Sequence, residues 1–307
     1  MARARLLQHA PINDWLMLSS TAKRQIPFWH EHRASSEFSR RHRSNSKMAD
    51  CTGGEFYVKH FEPSAYLEDY FKFGKSAVGD EYLKLTLPLF CSAFAPGELK
   101  GDTLIDIGTG PTIYQLLSAC ECFKEITATD YAESNRKELR KWLQNEPGAF
   151  DWSPVVKYVC ELEENRMTVP EKEEKLRRAV TQILHCDVLK SNPLEPLQGQ
   201  QYDCVLSSLC LEGACKSKDE VCCALKNIST LSKPGGYLVL CGDISCSYYQ
   251  VGKVKFASMS FDKEFLRKAV SGAGYTIDKL EVSSTADKEA EKETTDYSGV
   301  YFLVAHK

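Results

Sequence analysis

Apolar residues along this chain change period repeatedly, from the short runs of buried strands to the three-and-four spacing of helices. Leu104, Ile105 and Ile107 make a run short enough for a buried parallel strand, and Gly108 and Gly110 follow at once. Ile113, Leu116 and Leu117 then recur at helical spacing behind Thr112, a residue type that caps helices. The stretch reads as strand, tight loop and helix. A second strand, Glu125-Ile-Thr-Ala-Thr-Asp130, ends in an acid. Ala132 to Asn145 predicts a helix with Leu139, Trp142 and Leu143 apolar, which stops before the Glu146-Pro-Gly turn.

Glu171 to Leu184 predicts another helix, with Glu171/Lys175, Glu173/Arg177 and Glu174/Arg178 paired at i, i+4 and Leu176, Val180, Ile183 and Leu184 as its buried stripe. Its charge run is expected to be a solvated face. His185-Cys-Asp-Val188 ends that helix or forms a short strand, and Tyr202 to Ser208 is a buried fourth strand. Lys218 to Leu231 is helical, and Lys233-Pro-Gly-Gly turns into a fifth strand running to Leu240. Asp262 to Ala273 is a helix with Gly274 at its C-cap, and strands at Tyr275 to Val282 and Tyr297 to Ala305 close the chain. Near the beginning, Pro63-Ser64 after Glu62 marks a helix start, with Tyr66, Tyr70 and Phe73 on one face. Strands alternating with helices predict a doubly wound α/β sheet, and no internal repeat appears.

The glycine loop points backbone N–H groups at a ligand, and spacing narrows the choice. A dinucleotide fingerprint needs a third glycine where this chain has Ile113, and no Gly-Lys-Ser/Thr supplies a phosphate loop. Asp130, 20 residues past Gly110, instead suits the ribose hydroxyls of a bound nucleoside. The plain alternative is a glycine turn and a surface aspartate.

Composition changes this picture little. With 307 residues and 43% hydrophobic content the chain supports a sizeable core, and a net charge of −3 gives no reason to expect nucleic acid or membrane as a partner. Residues 1 to 47 hold nine Lys/Arg against three Asp/Glu and lack periodicity, so they read as a disordered basic tail or alternative N-terminus. Their Arg and Ser content also matches a mitochondrial presequence. Thirteen scattered cysteines, an odd number, read as reduced cytosolic thiols, and no Cys-x-x-Cys faces a His pair, so no metal site is expected. No run reaches the ~18 apolar residues of a membrane span.

Leu104-Ile-Asp-Ile-Gly-Thr-Gly-Pro-Thr-Ile-Tyr-Gln115, followed by Thr129-Asp-Tyr131 and Glu146-Pro-Gly-Ala-Phe-Asp-Trp152, resembles the nicotinamide, indolethylamine and phenylethanolamine N-methyltransferases from about Gly54 to Lys307. The resemblance implies a class I, Rossmann-like methyltransferase domain over 48–307 that uses S-adenosyl-L-methionine. Its doubly wound, mostly parallel seven-stranded sheet would end in a terminal antiparallel strand, and a helical lid would cover about 55–74. Members begin near Met48 and are cytosolic, which favours the tail over targeting, and the chain is expected to act as a monomer. Carried over residue by residue, Tyr66 of the lid reaches the methionine carboxylate, while Phe71 replaces a second lid tyrosine. Gly108, Thr109, Gly110, Thr112, Tyr114, Asp130, Tyr131 and Asn135 hold the cofactor, with Asp187 and Val188 at the adenine and Ser208 near the sulfonium. Tyr70, Asp243, Tyr249 and Ser258 fall in the substrate pocket.

Methyl transfer from sulfonium to nitrogen needs alignment and a free lone pair rather than a protein nucleophile. For an aliphatic amine, carboxylates attract the ammonium and take its proton; a pyridine needs no such base. Glu212 matches the phenylethanolamine enzyme's glutamate, where the nicotinamide enzyme has a shorter aspartate, and Asp296 matches a second amine-binding acid. Gly242 stands where the nicotinamide enzyme holds the amide with an aspartate, although adjacent Asp243 can substitute by a one-residue shift. Together these acids imply an arylalkylamine N-methyltransferase. The alternatives are a nicotinamide N-methyltransferase and a cofactor-binding scaffold without turnover; a NAD oxidoreductase lacks its third glycine.

Overall fold

The computed structural model describes residues 53–164, 167–285 and 294–307, so the expected tail over 1–47 lies outside the described residues. Two short helices come first, α1 (Gly54–His60) and α2 (Pro63–Tyr70), then a long one, α3 (Ala77–Ala93), which the periodicity did not announce. Pro63 starts α2 as expected, but the helix ends at Tyr70, so Phe73 lies beyond it. The sheet is built from β1 (Thr103–Ile107), β2 (Glu125–Asp130), β3 (Val180–His185), β4 (Tyr202–Ser208), β5 (Ser232–Ile244), a later β8 (Thr276–Ser284) and β9 (Gly299–His306). Its order is β3-β2-β1-β4-β5-β9-β8, with the chain-terminal β9 antiparallel to both neighbours and the other pairings parallel. This is the seven-stranded, doubly wound sheet the sequence predicts. The order reverses between β1 and β4, and open sheets bind ligands outside the strand C-termini at that point.

Strand alternation divides the core. Leu104, Ile126, Cys204 and Val239 pack on one face with Phe90, Tyr114 and Trp152. Ile105, Ile107, Val205 and Leu238 pack on the other with Leu225 and Leu266. The first face is covered by α3, by α4 (Ala119–Cys122) and α5 (Glu133–Leu143), and by α6 (Ser153–Leu162) and α7 (Val169–Ala179). The second is covered by α8 (Leu211–Ala214), α9 (Lys218–Ser229) and α10 (Lys263–Gly272).

Five expectations need correction. The single helix expected after the glycine loop is a 3₁₀ turn at Tyr114–Leu116 and then the one-turn α4. Thr112 caps nothing; its hydroxyl donates to the Thr109 carbonyl at 2.9 Å and braces the loop. The helix expected to run to Leu184 stops at Ala179, and Val180, Ile183 and Leu184 belong to β3, paired with β2. The β-branched Val180-Thr-Gln-Ile run suits a strand once the Glu/Lys pattern ends. The charge run on α7 is not all solvated. Lys172 is 0% exposed, its Nζ 2.7 Å from Glu121 Oε1 and 2.5 Å from Glu163 Oε2, which ties α4, α6 and α7 together. Glu171, expected to pair with Lys175, instead accepts from the Thr168 N–H at 2.7 Å and closes the helix start. The polar loop after Ser247 is a hairpin, β6 (Tyr248–Val251) with β7 (Val254–Ala257), laid beside α1 and α2 through Phe61, Val251 and Phe256.

Candidate active site

At the C-terminal edge of the sheet, between β1, β4 and β5, lies a cavity of about 250 Å³ roofed by α1, α2 and the hairpin. Its floor on one side is the glycine loop. Gly108 and Gly110 have φ of 70° and 64°, the left-handed region that favours glycine. A Cβ on Gly108 would sit 2.3 Å from Cys210 Sγ, whereas Gly110 faces open space, as a backbone that receives a ligand must. Beneath the loop, Gln115 Nε2 donates to Asp106 Oδ2 at 2.9 Å and the Thr109 N–H donates to the Thr129 carbonyl at 2.7 Å. Burial pushes Asp106 up to about 7, against the opposing hydrogen bonds from Gln115 and Thr109.

Asp130 ends β2 at the cavity wall, only 6% exposed. Its Oδ2 accepts from the Gly110 N–H at 2.9 Å, and its Oδ1 from the Ala132 N–H at 2.8 Å and Asn135 Nδ2 at 3.1 Å. Burial raises its pKa, while those three donors favour the ionised form. Asn135 does not line the cavity. It stands behind Asp130 and also donates to the Tyr57 hydroxyl at 3.0 Å, which links α1 to the acid. Tyr131 and Leu189 form a partly exposed rim, with Cys186, Asp187 and Val188 beside them.

Tyr66, Phe71, Tyr114 and Ser208 line a second side of the cavity. Phe71 stacks on Tyr114 with ring centres 5.2 Å apart, and the Tyr114 hydroxyl lies 2.9 Å from Ser208 Oγ. Tyr82 of α3 joins them, its hydroxyl 3.2 Å from Ser208 Oγ. Tyr70 also lines the cavity, but its hydroxyl donates to the Gln250 carbonyl at 2.7 Å and pins the hairpin to the lid. Tyr249, stacked on Phe256, and Ser258 close that end.

Glu212 and Asp243 complete the lining. Glu212, on α8, is 4% exposed; Tyr301 donates to its Oε1 at 2.9 Å, and its Oε2 is buried without a hydrogen-bond partner. Burial pushes it up to about 7, opposed by its own backbone N–H, then the Tyr301 hydroxyl and the Asp243 N–H. Asp243 keeps some surface open to the cavity but lies far from bulk solvent. Burial drives its pKa well above the usual range, helped by the charges of Glu212 and then Asp296.

Asp296 does not join this site. Thr295 and Tyr297 point into the cavity, and alternation sends Asp296 the other way. There its Oδ1 accepts from the Ser247 N–H at 2.7 Å and its Oδ2 from Ser247 Oγ at 2.5 Å, holding the turn into the hairpin. Every other expected site residue except Asn135 lines the cavity. Sequence reasoning missed Tyr57, Tyr82 and Tyr301. Tyr57 lay in the aromatic lid stretch, where its spacing from Tyr66 was the available signal. Tyr82 sat in a segment read for no element, and Tyr301 looked like any buried strand aromatic. Among the described residues no group of three or more His, Cys, Asp or Glu is placed to hold a metal, and no helix is long and apolar enough to cross a membrane.

Comparison with known proteins places the site in context. Residues 49–307 match the model of the NNMT/PNMT/TEMT family. The chain is 50% identical over 257 residues to the nicotinamide N-methyltransferase of Homo sapiens, covering 83% of this chain and 96% of that protein. It is 47% identical to the indolethylamine N-methyltransferase of Oryctolagus cuniculus, covering 83% and 97%. Among solved structures, magnesium protoporphyrin IX methyltransferase from Synechocystis with bound SAM has a TM-score of 0.52 at 14% identity. It covers 82% of this chain and 93% of that one, a likeness of fold.

Proposed function

The chain belongs to the NNMT/PNMT/TEMT family and is an S-adenosylmethionine-dependent N-methyltransferase, and we propose that its preferred substrate is a primary arylalkylamine. The observation that carries the substrate class is the buried acid pair, Glu212 and Asp243, facing one cavity lined with tyrosines.

The residues present fit the cofactor. Gly110 leaves room for close approach, Asp130 is held by three N–H donors so that its remaining lone pairs meet ribose hydroxyls, and Val188 and Leu189 offer an apolar wall to an adenine ring. When bound, S-adenosylmethionine supplies an electrophilic methyl group on a sulfonium. The chain's own work is alignment and charge. The lid tyrosines and the hairpin exclude water, which strengthens every electrostatic contact inside. Glu212, ionised through Oε2, attracts an ammonium and accepts its proton, freeing the nitrogen lone pair. Asp243, whose pKa burial also raises, offers a hydroxyl donor beside it when it holds a proton.

The raised pKa of Asp243 favours a second reading, pyridine methylation, because a protonated carboxyl can donate to a carboxamide oxygen. We further read the chain as a cytosolic monomer. Its cysteines, free wherever described, support a reducing compartment. A side-by-side assay of tryptamine, phenylethanolamine and nicotinamide tests the substrate class: higher kcat/KM for an amine is expected. A tenfold advantage for nicotinamide, about 1.4 kcal/mol in transition-state terms, would reverse the choice in favour of the pyridine.

A further inference from the structure

Glu212 occupies space that only a glycine leaves open. Gly242 of β5 pairs with Tyr301 of β9, and a Cβ on Gly242 would lie 1.8 Å from Glu212 Oε1 and 2.8 Å from the Tyr301 hydroxyl. Three residues separated by as many as 89 positions thus share one small volume, in which Tyr301 donates to Oε1 at 2.9 Å. The other oxygen, Oε2, has no partner although the side chain is almost fully buried, and Glu212 lines the cavity. We infer that Tyr301 is a positioning residue for amine turnover: across the gap left by Gly242 it fixes one carboxyl oxygen of Glu212 and so presents the other to the substrate nitrogen.

The inference rests on the amine reading above. It assigns to Tyr301 and Gly242 a part that neither has by touching substrate, since neither lines the cavity. The chemistry is a proton transfer. Ionised Glu212 accepts one proton from the substrate ammonium, the N–H bond breaks, its electron pair stays on nitrogen, and the carboxyl is left neutral until the product departs. The groups facing Glu212 are Tyr301 from β9, Asp243 and Cys241 from β5, and Cys210 and Cys215 flanking its own helix. Of the side chains, Tyr301 is the one that favours its ionised form.

The test uses the full chain with Tyr301→Phe and, separately, Gly242→Ala. Tyr301→Phe removes a hydrogen bond to the ionised carboxylate, so Glu212 should hold its proton more tightly. The acidic limb of kcat/KM for tryptamine should move up by about one pH unit, giving a roughly tenfold loss below the limb and little change above it. Gly242→Ala should displace Glu212 and lower amine turnover at every pH, matching Glu212→Gln. S-adenosylhomocysteine affinity should hold within about threefold in both variants, a readout that a damaged fold would not preserve. Tryptamine binding releases protons only from enzyme in which Glu212 is already protonated, so at pH 7 calorimetry in buffers of different ionisation enthalpy should show more release in Tyr301→Phe than in the parent, a readout independent of turnover; equal release overturns the inference. An acidic limb in Tyr301→Phe that superimposes on the parent's overturns the inference alone. Failure of the parent to bind tryptamine at all overturns the amine reading and this inference together.

Discussion

Removing the Asp130 carboxylate is the sharpest test of the cofactor site. In the folded chain it accepts from Gly110, Ala132 and Asn135, and Asn135 in turn donates to Tyr57 of the lid. If Asp130 receives the ribose hydroxyls as proposed, Asp130→Ala deletes their acceptor, and a charge-assisted contact of this kind is worth roughly 1.5–3 kcal/mol. The dissociation constant should therefore rise about 10- to 150-fold. The fold should lose less than three broken hydrogen bonds suggest, because burying that charge already costs stability, as its raised pKa indicates. Asp130→Asn separates charge from geometry. If its oxygen accepts from Ala132 and Asn135, its amide faces the Gly110 N–H, donor against donor. The flipped rotamer sets the amide against the other two donors instead. Asparagine should therefore bind as poorly as alanine while melting lower. Titration calorimetry with S-adenosylhomocysteine reads affinity without chemistry, and circular dichroism reads the fold. A dissociation constant within threefold of the parent for both variants, with intact spectra, refutes the assignment of Asp130 to the ribose.

Two further outcomes concern stability. Glu212 has a folded pKa near 7, above its ordinary value of 4.5, so the folded state holds the proton more tightly and stability falls as pH rises between those values. Glu212→Gln should therefore stabilise the fold at pH 8 by on the order of 1–3 kcal/mol, read as a raised melting temperature, and flatten the decline between pH 5 and 7 while amine turnover drops; an unchanged or lower melting temperature counts against the burial argument. Lys172→Met takes the buried cation from Glu163 and leaves Glu121 with Lys175, and should cost about 3–5 kcal/mol by urea denaturation; a loss under ~1 kcal/mol would mean that the acids are solvated after all.

Local signals carried most of the sheet. β4 falls at Tyr202–Ser208, where its apolar run placed it, and the glycine loop follows β1 and Asp130 ends β2 as their strand readings had it. The failures have identifiable physical causes. Val180 to Leu184 continued the apolar period of the helix before it, and pairing to β2 outweighed that period. Lys172 sat among residues that pair in solvent, and nothing local marks the one lysine that three helices enclose. Asp296 shared its spacing with a pocket residue, but one step along an extended chain turns a side chain to the opposite face. Gly242 read as an absent aspartate; the fold shows that the absence is itself required, because Glu212 fills the place.

The electrostatics of the cavity follow from what methyl transfer does to charge. The reaction moves one positive charge from sulfur toward nitrogen, so only negative potential that is stronger at the nitrogen end favours the transition state over the bound reactants. Asp106 and Asp130 hydrogen-bond to residues of the glycine loop, whereas Glu212 and Asp243 line the cavity from α8 and β5. Glu212 has one buried oxygen uncommitted, and burial raises the pKa of both acids, that of Asp243 further through the neighbouring charge of Glu212. One charge at that end, rather than two, suits a substrate that brings one ammonium. With both acids ionised and no cation between them, mutual repulsion would add to the cost of burying the pair. The pair is therefore better matched to a cationic amine than to a neutral pyridine, and the energy spent burying Glu212 is recovered when an ammonium arrives.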